Sequence, residues 1–256
     1  MQIKTMKTLL PTFFKFKTGN DLIRMGSDND GGYLISEKDV DNSEILISLG
    51  ISEDWSFEKD FLKMKNIELL AFDGTISEKK FLLFIKSRLR QIYRINYFLS
   101  AVKLYLSYKK FFEGKRKHFE KNVSSGVKNN PNFITMKEIF QLTPLNNIFL
   151  KIDIEGWEYR ILEDILDNQE RLSCLVIEFH DCDLHLDRIK NFIKTFSLNL
   201  IHIHANNYSE ISMKDNLPLV MELTFSKNSE FLDAPIMPHP LDQPNNKNAD
   251  DIFLTV

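Results

Sequence analysis

Short apolar runs alternate along the chain with segments of helical spacing. The runs are rich in Ile, Leu, Val and Phe, and the segments between them carry a polar face. This alternation is typical of an α/β domain with a mostly parallel sheet. The predicted strands are 45–49, 67–72, 148–152, 174–179, 200–204 and 219–225, with a weaker strand at 118–122. The predicted helices are 53–64, 135–141, 157–167 and 185–196.

The last two predicted strands are joined by ANNYSEISMKDNLP, which has the composition of a loop. Without a helical crossover, these strands are expected to form an antiparallel pair. A parallel sheet that ends in such a pair differs from the sheet of a nucleotide-binding dehydrogenase and is typical of class I methyltransferases. The sequence therefore predicts a Rossmann-like α/β fold with a seven-stranded, mostly parallel sheet that contains one antiparallel strand.

Two regions lie outside this pattern. Residues 77–117 form a long, aromatic-rich helical insertion after the second strand, and 229–256 form a tail rich in Pro and Asn. We expect the tail to be a loop that follows the surface. The length of 256 residues favours a single domain, 1–256.

Charge is unevenly distributed along the chain. The net charge is −3, but the insertion contains twelve Lys or Arg and only two Glu, which leaves about −13 for the remainder. This asymmetry indicates an anionic partner for the insertion. The remainder of the chain is acidic and contains no recognised RNA- or DNA-binding module, so nucleic acid is not the expected partner.

The chain shows no targeting or membrane-spanning pattern. Its first residues lack the apolar core and cleavage site of a secretory signal, and no run reaches the roughly 18 apolar residues that span a bilayer. The two cysteines, Cys174 and Cys182, give neither a disulfide framework nor a metal-ligand spacing. These features favour a soluble protein of the reducing cytoplasm.

The loop after the first sheet strand reads SLGISEDWSFE, and such loops hold the cofactor in many α/β proteins. Gly50 permits a tight turn there, but the glycine series that binds a pyrophosphate is absent. Glu53 and Asp54, beside Ser52, match a positively charged cofactor better. Asp73 ends the second strand, where an acidic residue can accept hydrogen bonds from ribose hydroxyls. Alternatively, these acids are N-terminal helix residues and a turn cap.

Several motifs resemble the FkbM-type methyltransferases. FLKIDIEGWEYRIL is similar to the strand-Asp-x-Glu-Gly-x-Glu signature of that family, and AFDGT, LVIEFHD, GSDNDGGYLI, SLGISEDWSFE and IHANN also match in order. The resemblance covers most of 22–225. It implies a class I fold, S-adenosylmethionine as the cofactor, and methylation of a hydroxyl group on a sugar or natural product. It also implies that 26–36, within an N-terminal cap segment 1–44, folds over the cofactor or acceptor site with Asp30 and Tyr33 as the contacts; a simple tight turn is the alternative.

Methyl transfer to oxygen requires alignment of the nucleophile and removal of its proton. The predicted carboxyl ends of the central strands supply candidates for both tasks. His180 is the first choice for the general base, since its ordinary pKa lies near neutrality. Asp153 and Glu155 are the candidates that orient the acceptor or the cofactor.

A divalent cation is the alternative way to activate an acceptor hydroxyl. Asp153, Asp181 and Asn206 offer hard oxygen donors at adjacent strand ends, which suit Mg²⁺ or Mn²⁺. Such an ion can bind and acidify the hydroxyl.

The basic insertion has three interpretations. It is a solvated helical face, an amphipathic surface that lies on an anionic membrane, or a lid that binds a phosphate-bearing acceptor through Arg90 and Arg94. The lid is favoured, because insertions often build the acceptor pocket. His204 and Asn206, after the sixth strand, complete the predicted substrate-binding residues.

The sequence thus predicts an S-adenosylmethionine-dependent O-methyltransferase. The expected acceptor is a hydroxyl or phosphate-type oxygen of a sugar or anionic glycan precursor, as in cell-surface glycan biosynthesis. Two alternatives stay open: a methyltransferase-like binding subunit without activity, and a nucleotide-sugar enzyme that uses a dinucleotide.

Overall fold

The computed structural model describes residues 6–89, 95–126, 130–232 and 234–256. The described strands, numbered along the chain, are β1 (Met6–Leu9), β2 (Leu22–Gly26), β3 (Gly32–Ser36), β4 (Ile45–Leu49), β5 (Glu68–Phe72), β6 (Arg116–Phe119), β7 (Asn122–Val123), β8 (Phe133–Ile134), β9 (Ile148–Ile152), β10 (Leu172–Phe179), β11 (Asn199–Ala205), β12 (Met221–Ser226) and β13 (Ile252–Thr255). The described α-helices are α1 (Glu37–Asn42), α2 (Ser56–Met64), α3 (Glu78–Leu89), α4 (Ile95–Phe111), α5 (Met136–Gln141), α6 (Leu162–Asp167) and α7 (Leu186–Thr195).

Seven of the described strands form the central sheet in the order β11-β12-β10-β9-β4-β5-β6. Strand β12 runs antiparallel to both of its neighbours, and the remaining adjacent pairs are parallel. This order and the single reversed strand are those of the class I methyltransferase fold. The predicted fold class is therefore confirmed, together with the antiparallel terminal pair and the helical insertion after the second strand.

The sheet is covered by helices on both faces. Alternate residues of β4 point to opposite sides, with Ile47 and Leu49 in one apolar cluster and Leu46 in the other. The first cluster includes residues of α5, α6 and α7, and the second includes residues of α1, α2, α3 and α4. Strands buried on both faces need continuous apolar sequence, which explains the runs that identified them.

Several bounds differ from those predicted, among them the helix 157–167, of which only Leu162–Asp167 is α-helical after a 3-10 turn at Glu158–Arg160. Strand β6 begins at Arg116, because it pairs with β5 from Leu69 onward, so the helical part of the insertion ends at Phe111. The tail does not remain a loop to its end: β13 pairs in parallel with β1. The N-terminal segment contains the antiparallel hairpin β2–β3, which brings Tyr33 over the carboxyl ends of the central strands. No helix among the described residues is long and apolar enough to cross a membrane.

Candidate active site

A cavity of about 770 Å³ opens at the carboxyl ends of β4, β5 and β9. In the sheet, β4 lies between β5 and β9, and the chain continues first to β5 on one side and later to β9 on the other. The strand order therefore reverses at β4, which makes this the topological switch point at which α/β sheets bind ligands. The volume lies within the roughly 300–1,000 Å³ of ordinary ligand pockets. All six predicted cofactor-binding residues line it: Gly50, Ser52, Glu53, Asp54, Asp73 and Asp153.

Gly50 lets the loop after β4 pass directly against the loop after β9. Its φ is +77°, and a Cβ atom at this position would lie 1.6 Å from the carbonyl oxygen of Asp153. No side chain fits there.

Asp73 fixes the same loop from the second strand. Its Oδ2 accepts hydrogen bonds from the backbone N–H groups of Ile51 at 3.0 Å and Ser52 at 2.7 Å, and its Oδ1 accepts from the N–H and hydroxyl of Thr75. Burial alone would raise the pKa of Asp73, but these hydrogen bonds outweigh it and the pKa is lowered. Asp73 is thus a carboxylate whose oxygens already hold the loop, and its predicted contact with ribose stays a prediction.

The cavity is strongly acidic. The carboxylate of Asp54 accepts hydrogen bonds from the hydroxyl of Ser27 and from the backbone N–H of Ser56 at the start of α2. Glu53 is exposed. Among the described residues that line the cavity, the carboxylates outnumber the lysines: they are Asp30, Glu53, Asp54, Asp73, Asp153 and Glu155 against Lys121 and Lys151. An excess of carboxylates favours a ligand that carries positive charge.

Lys151 is a buried cation at the base of the cavity. It is the fourth of the five residues of β9, is 5% exposed, and donates a hydrogen bond from Nζ to the carbonyl oxygen of Gly50 at 3.0 Å. Its Nζ is also 5.4 Å from the centre of the Tyr33 ring. Lys151 therefore offers one fixed positive charge beside the loop after β4, where an anionic group of a ligand can be paired.

Tyr33 connects Asp153 to the next strand. Its hydroxyl lies 3.2 Å from Oδ2 of Asp153 and 3.1 Å from Oε2 of Glu178. Burial, with the charges of Asp153 and Glu222, raises the pKa of Glu178 well above its usual range. A neutral Glu178 can donate a hydrogen bond to the Tyr33 hydroxyl, while that hydroxyl donates to Asp153, so both contacts can be hydrogen bonds.

His180 lies next to the cavity without lining it, and Glu158 holds its ring. Its Nδ1 is 3.1 Å from Oε1 of Glu158, and its Nε2 is 3.4 Å from Oε2 of Glu155, which lines the cavity. Burial would lower the pKa of His180, but the hydrogen bond and charge of Glu158 raise it to about 9. A buried carboxylate on one ring nitrogen, with the other nitrogen toward a pocket, is the geometry of an oriented acid–base histidine.

The predicted Mg²⁺ or Mn²⁺ site does not form as expected. The Oδ1 of Asn206 accepts the N–H of Tyr208 at 2.9 Å, and its Nδ2 donates to Glu178 at 2.9 Å. The described acid–histidine group that is compact enough for an ion is Asp153, Glu155 and His180, without Asp181. The pKa of about 9 for His180 describes this group without an ion, as an ion-paired cluster.

The predicted substrate-binding residues fall into three groups. Asp30 lines the cavity and accepts a hydrogen bond from Asn245, and burial raises its pKa. His204 is buried between Glu222 at 3.2 Å and Asp251 at 3.4 Å, so it does not face the cavity, and neither does Asn206. Burial would lower the pKa of His204, but Asp251 and Glu222 raise it. Arg90 and Arg94 lie outside the described residues.

Lys151 and Glu158 are site residues that the sequence analysis missed. A signal for Lys151 exists, since it is the single charge in the apolar run IFLKI. Glu158 is hidden by its position in a short helical turn, where an acidic residue is ordinary. Only the fold shows that it lies beneath His180, 22 residues away.

Comparisons with known proteins find only structural matches of low similarity. No protein-family model and no curated protein matches the chain. Among solved structures, an rRNA methylase from Streptococcus thermophilus matches with 10% identity and a TM-score of 0.40, over 73% of this chain and 89% of that one. The precorrin-6y C5,15-methyltransferase from Geobacter metallireducens matches with 12% identity and a TM-score of 0.36, over 83% and 95%. The class I methyltransferase fold is assigned from the strand order.

Proposed function

We propose that the chain is an S-adenosylmethionine-dependent methyltransferase that uses the cavity at the switch point. The observation that carries the proposal is the acidic cavity at the ends of β4, β5 and β9, with the His180–Glu158 pair next to it. This arrangement supplies a site for a positively charged cofactor and, beside it, a group that can take a proton.

The charged side chains of the cavity fit this cofactor. S-adenosylmethionine, when bound, supplies a methyl group on a sulfonium centre to a nucleophile. Glu53, Asp54 and Asp153 would offset the positive charges of the sulfonium and ammonium groups, and Lys151 would pair with the carboxylate of the amino-acid part. Asp73 keeps the loop after β4 in place and, if one of its oxygens is released, reaches the ribose.

His180 would accept the proton of the acceptor hydroxyl. Glu158 fixes the ring through Nδ1, which leaves Nε2 for the acceptor beside Glu155. Only the neutral imidazole can accept a proton, and the raised pKa makes it scarce near neutral pH. The proposed enzyme is therefore more active at alkaline pH, while Asp153 and Tyr33 position the acceptor from the other side of the cavity.

The proposed acceptor is a hydroxyl of a sugar, in line with the resemblance to FkbM-type enzymes. The carboxylates at the cavity disfavour an anionic group close to the transferred methyl. A phosphate of a glycan precursor would have to extend away from Glu53 and Glu155. The same argument disfavours RNA, whose phosphates flank every ribose hydroxyl.

Calorimetry tests the cofactor, and labelled methyl transfer tests the acceptor. S-adenosylmethionine and S-adenosylhomocysteine are expected to bind, and NAD is not. Binding of NAD alone would refute the proposal, and binding of neither would favour a subunit without activity. With radiolabelled S-adenosylmethionine, neutral sugars, nucleotide sugars and total RNA separate the acceptor classes, and transfer to RNA alone would refute the sugar acceptor.

A further inference from the structure

Helices α3 and α4 form an antiparallel hairpin on the surface of the domain. Glu78, at the start of α3, pairs with Lys109 near the end of α4 at 3.2 Å, and the guanidinium of Arg88 lies 5.8 Å from the ring of Tyr97 at the other end. One side of the hairpin is anchored in the core through the buried side chains Phe81, Ala101 and Phe111. The rings of Phe111 and Trp55 stack at 6.5 Å, so the hairpin is fixed to the residue that precedes α2.

The opposite side of the hairpin is also apolar. In α4, Ile95, Leu99 and Leu106 are 51%, 55% and 58% exposed, and their spacing of four and seven residues places them in one row. In α3, Leu82 and Leu83 are 48% and 57% exposed. A helix that faces only water carries polar residues on its outer side. The outer side of this hairpin therefore has a composition that water alone does not explain.

Lysines are interleaved with these apolar residues. Lys79 and Lys86 lie on the outer side of α3, and Lys103 and Lys110 lie in the row of α4. In the described part of the chain, no carboxylate forms an ion pair with any of these four lysines. We call the five apolar residues and four lysines together the hairpin face.

The hairpin face is separate from the cavity. None of the described residues of 77–117 lines the cavity, so the predicted lid has no contact there that would support it. A phosphate-binding lid also gives no role to exposed leucines. An anionic lipid surface uses both components, since apolar side chains enter the acyl boundary and lysines pair with headgroups.

We propose that the hairpin face docks the protein on an anionic membrane, with α3 and α4 lying in the plane of the interface. The described part of α4 is 17 residues long and no described helix meets the criteria for crossing a bilayer, so the contact is peripheral. This inference does not depend on the proposed methyl transfer.

Vesicle co-sedimentation tests the proposal. The full chain is expected to bind equimolar phosphatidylglycerol–phosphatidylcholine vesicles and not pure phosphatidylcholine. The variant L99Q/L106Q should bind at least about tenfold more weakly, because neither glutamine gains from burial in the acyl boundary. The variant K103Q/K110Q should bind about 30-fold more weakly, because each lysine near an anionic surface contributes roughly fivefold.

The matched control is L184Q/M213Q, which removes two apolar residues that are 74% and 99% exposed elsewhere on the surface. It should bind like the parent protein. Absence of vesicle binding, or an equal loss in the control, would overturn the proposal. If L99Q/L106Q instead converts a dimer into a monomer in light scattering, the face joins two copies of the chain. If glycerol phosphate displaces the protein fully and the leucine variant binds normally, the face binds free anions.

Discussion

Glu158 holds His180 from below the cavity. Its Oε1 lies 3.1 Å from Nδ1 of His180 and also accepts the backbone N–H groups of Ile154 at 3.2 Å and Gly156 at 3.1 Å. The Glu158 side chain is fully buried, so its charge acts on the imidazole with little screening by water. The turn after β9 and the histidine after β10 are thereby joined at one oxygen atom.

The variant E158Q is expected to lower the pKa of His180 from about 9 toward the ordinary histidine range. Glutamine keeps the shape of the side chain but removes the charge that favours the imidazolium. NMR titration of the His180 ring measures this change, with H180Q to assign the signal.

The matched control is E155Q. Glu155 is also close to His180, at 3.4 Å from Nε2, but its side chain is 85% exposed, so it should shift the pKa much less. An unchanged pKa in E158Q, or an equal shift in both variants, would show that Glu158 does not govern the imidazole.

Activity is expected to rise with pH if His180 accepts the proton. The value of kcat/KM should increase about tenfold per pH unit below pH 9 and then level off, because the neutral imidazole is the active form. In E158Q the rise should move to lower pH. H180Q should lose roughly 10²- to 10⁴-fold and lack the rise. The same pH dependence in H180Q would assign the proton to another group, and loss of activity to a chelator, restored by Mg²⁺, would instead favour a metal.

The same pKa makes folding depend on pH. A pKa raised on folding stabilises the protein fully below the unfolded value of about 6.5, and this contribution is lost as the pH rises through about 9. The change from 6.5 to about 9 corresponds to roughly 3 kcal/mol at most. Urea unfolding below pH 6.5 and above pH 9 should show a larger loss in the parent protein than in H180Q. Equal losses would contradict the raised pKa.

Lys151 is expected to bind the carboxylate of the cofactor. The variant K151M keeps an unbranched chain but removes the charge, and it should weaken S-adenosylmethionine by about 10- to 100-fold, the range of one charge-assisted hydrogen bond. Methylthioadenosine, which lacks the amino-acid part, should bind both proteins alike. Calorimetry with the two ligands makes the comparison. Equal losses for both ligands would show that Lys151 supports the loop through Gly50 and does not contact the carboxylate.

The sheet could be predicted from sequence because its strands are buried on both faces. Runs such as ILISL and IFLKI are apolar on both faces of a strand, so they belong in the interior of the sheet. The loop before β12 is too poor in helix formers for the helical crossover that a parallel strand needs. Strand β13 could not be predicted, because it is short and pairs with β1, which lies 246 residues earlier in the sequence.

The candidate site was predictable where residues end a strand or lie in the loop that follows it. Gly50, Asp73 and Asp153 line the cavity because the ends of parallel strands meet at one edge of the sheet. The contacts of Glu158 with His180, and of Glu222 with His204, join separate segments and depend on registers that the sequence does not display. His204 was assigned to the substrate for its strand-end position, yet the tail covers it through Asp251.

Two variants of Glu155 test its backbone strain and its role in the reaction separately. Its φ is +54°, a left-handed conformation that costs an ordinary residue about 1–2 kcal/mol. Glycine avoids this cost, but its greater freedom in the unfolded chain offsets part of the gain in stability. The variant E155G is therefore expected to raise the free energy of unfolding by up to about 1 kcal/mol, while E155Q leaves it nearly unchanged. Both variants should lower kcat, because both remove the carboxylate beside Nε2 of His180. Chemical denaturation and turnover measurements on the two variants give the comparison. A more stable E155G with full activity would mean that the left-handed turn is incidental and that Glu155 takes no part in the reaction.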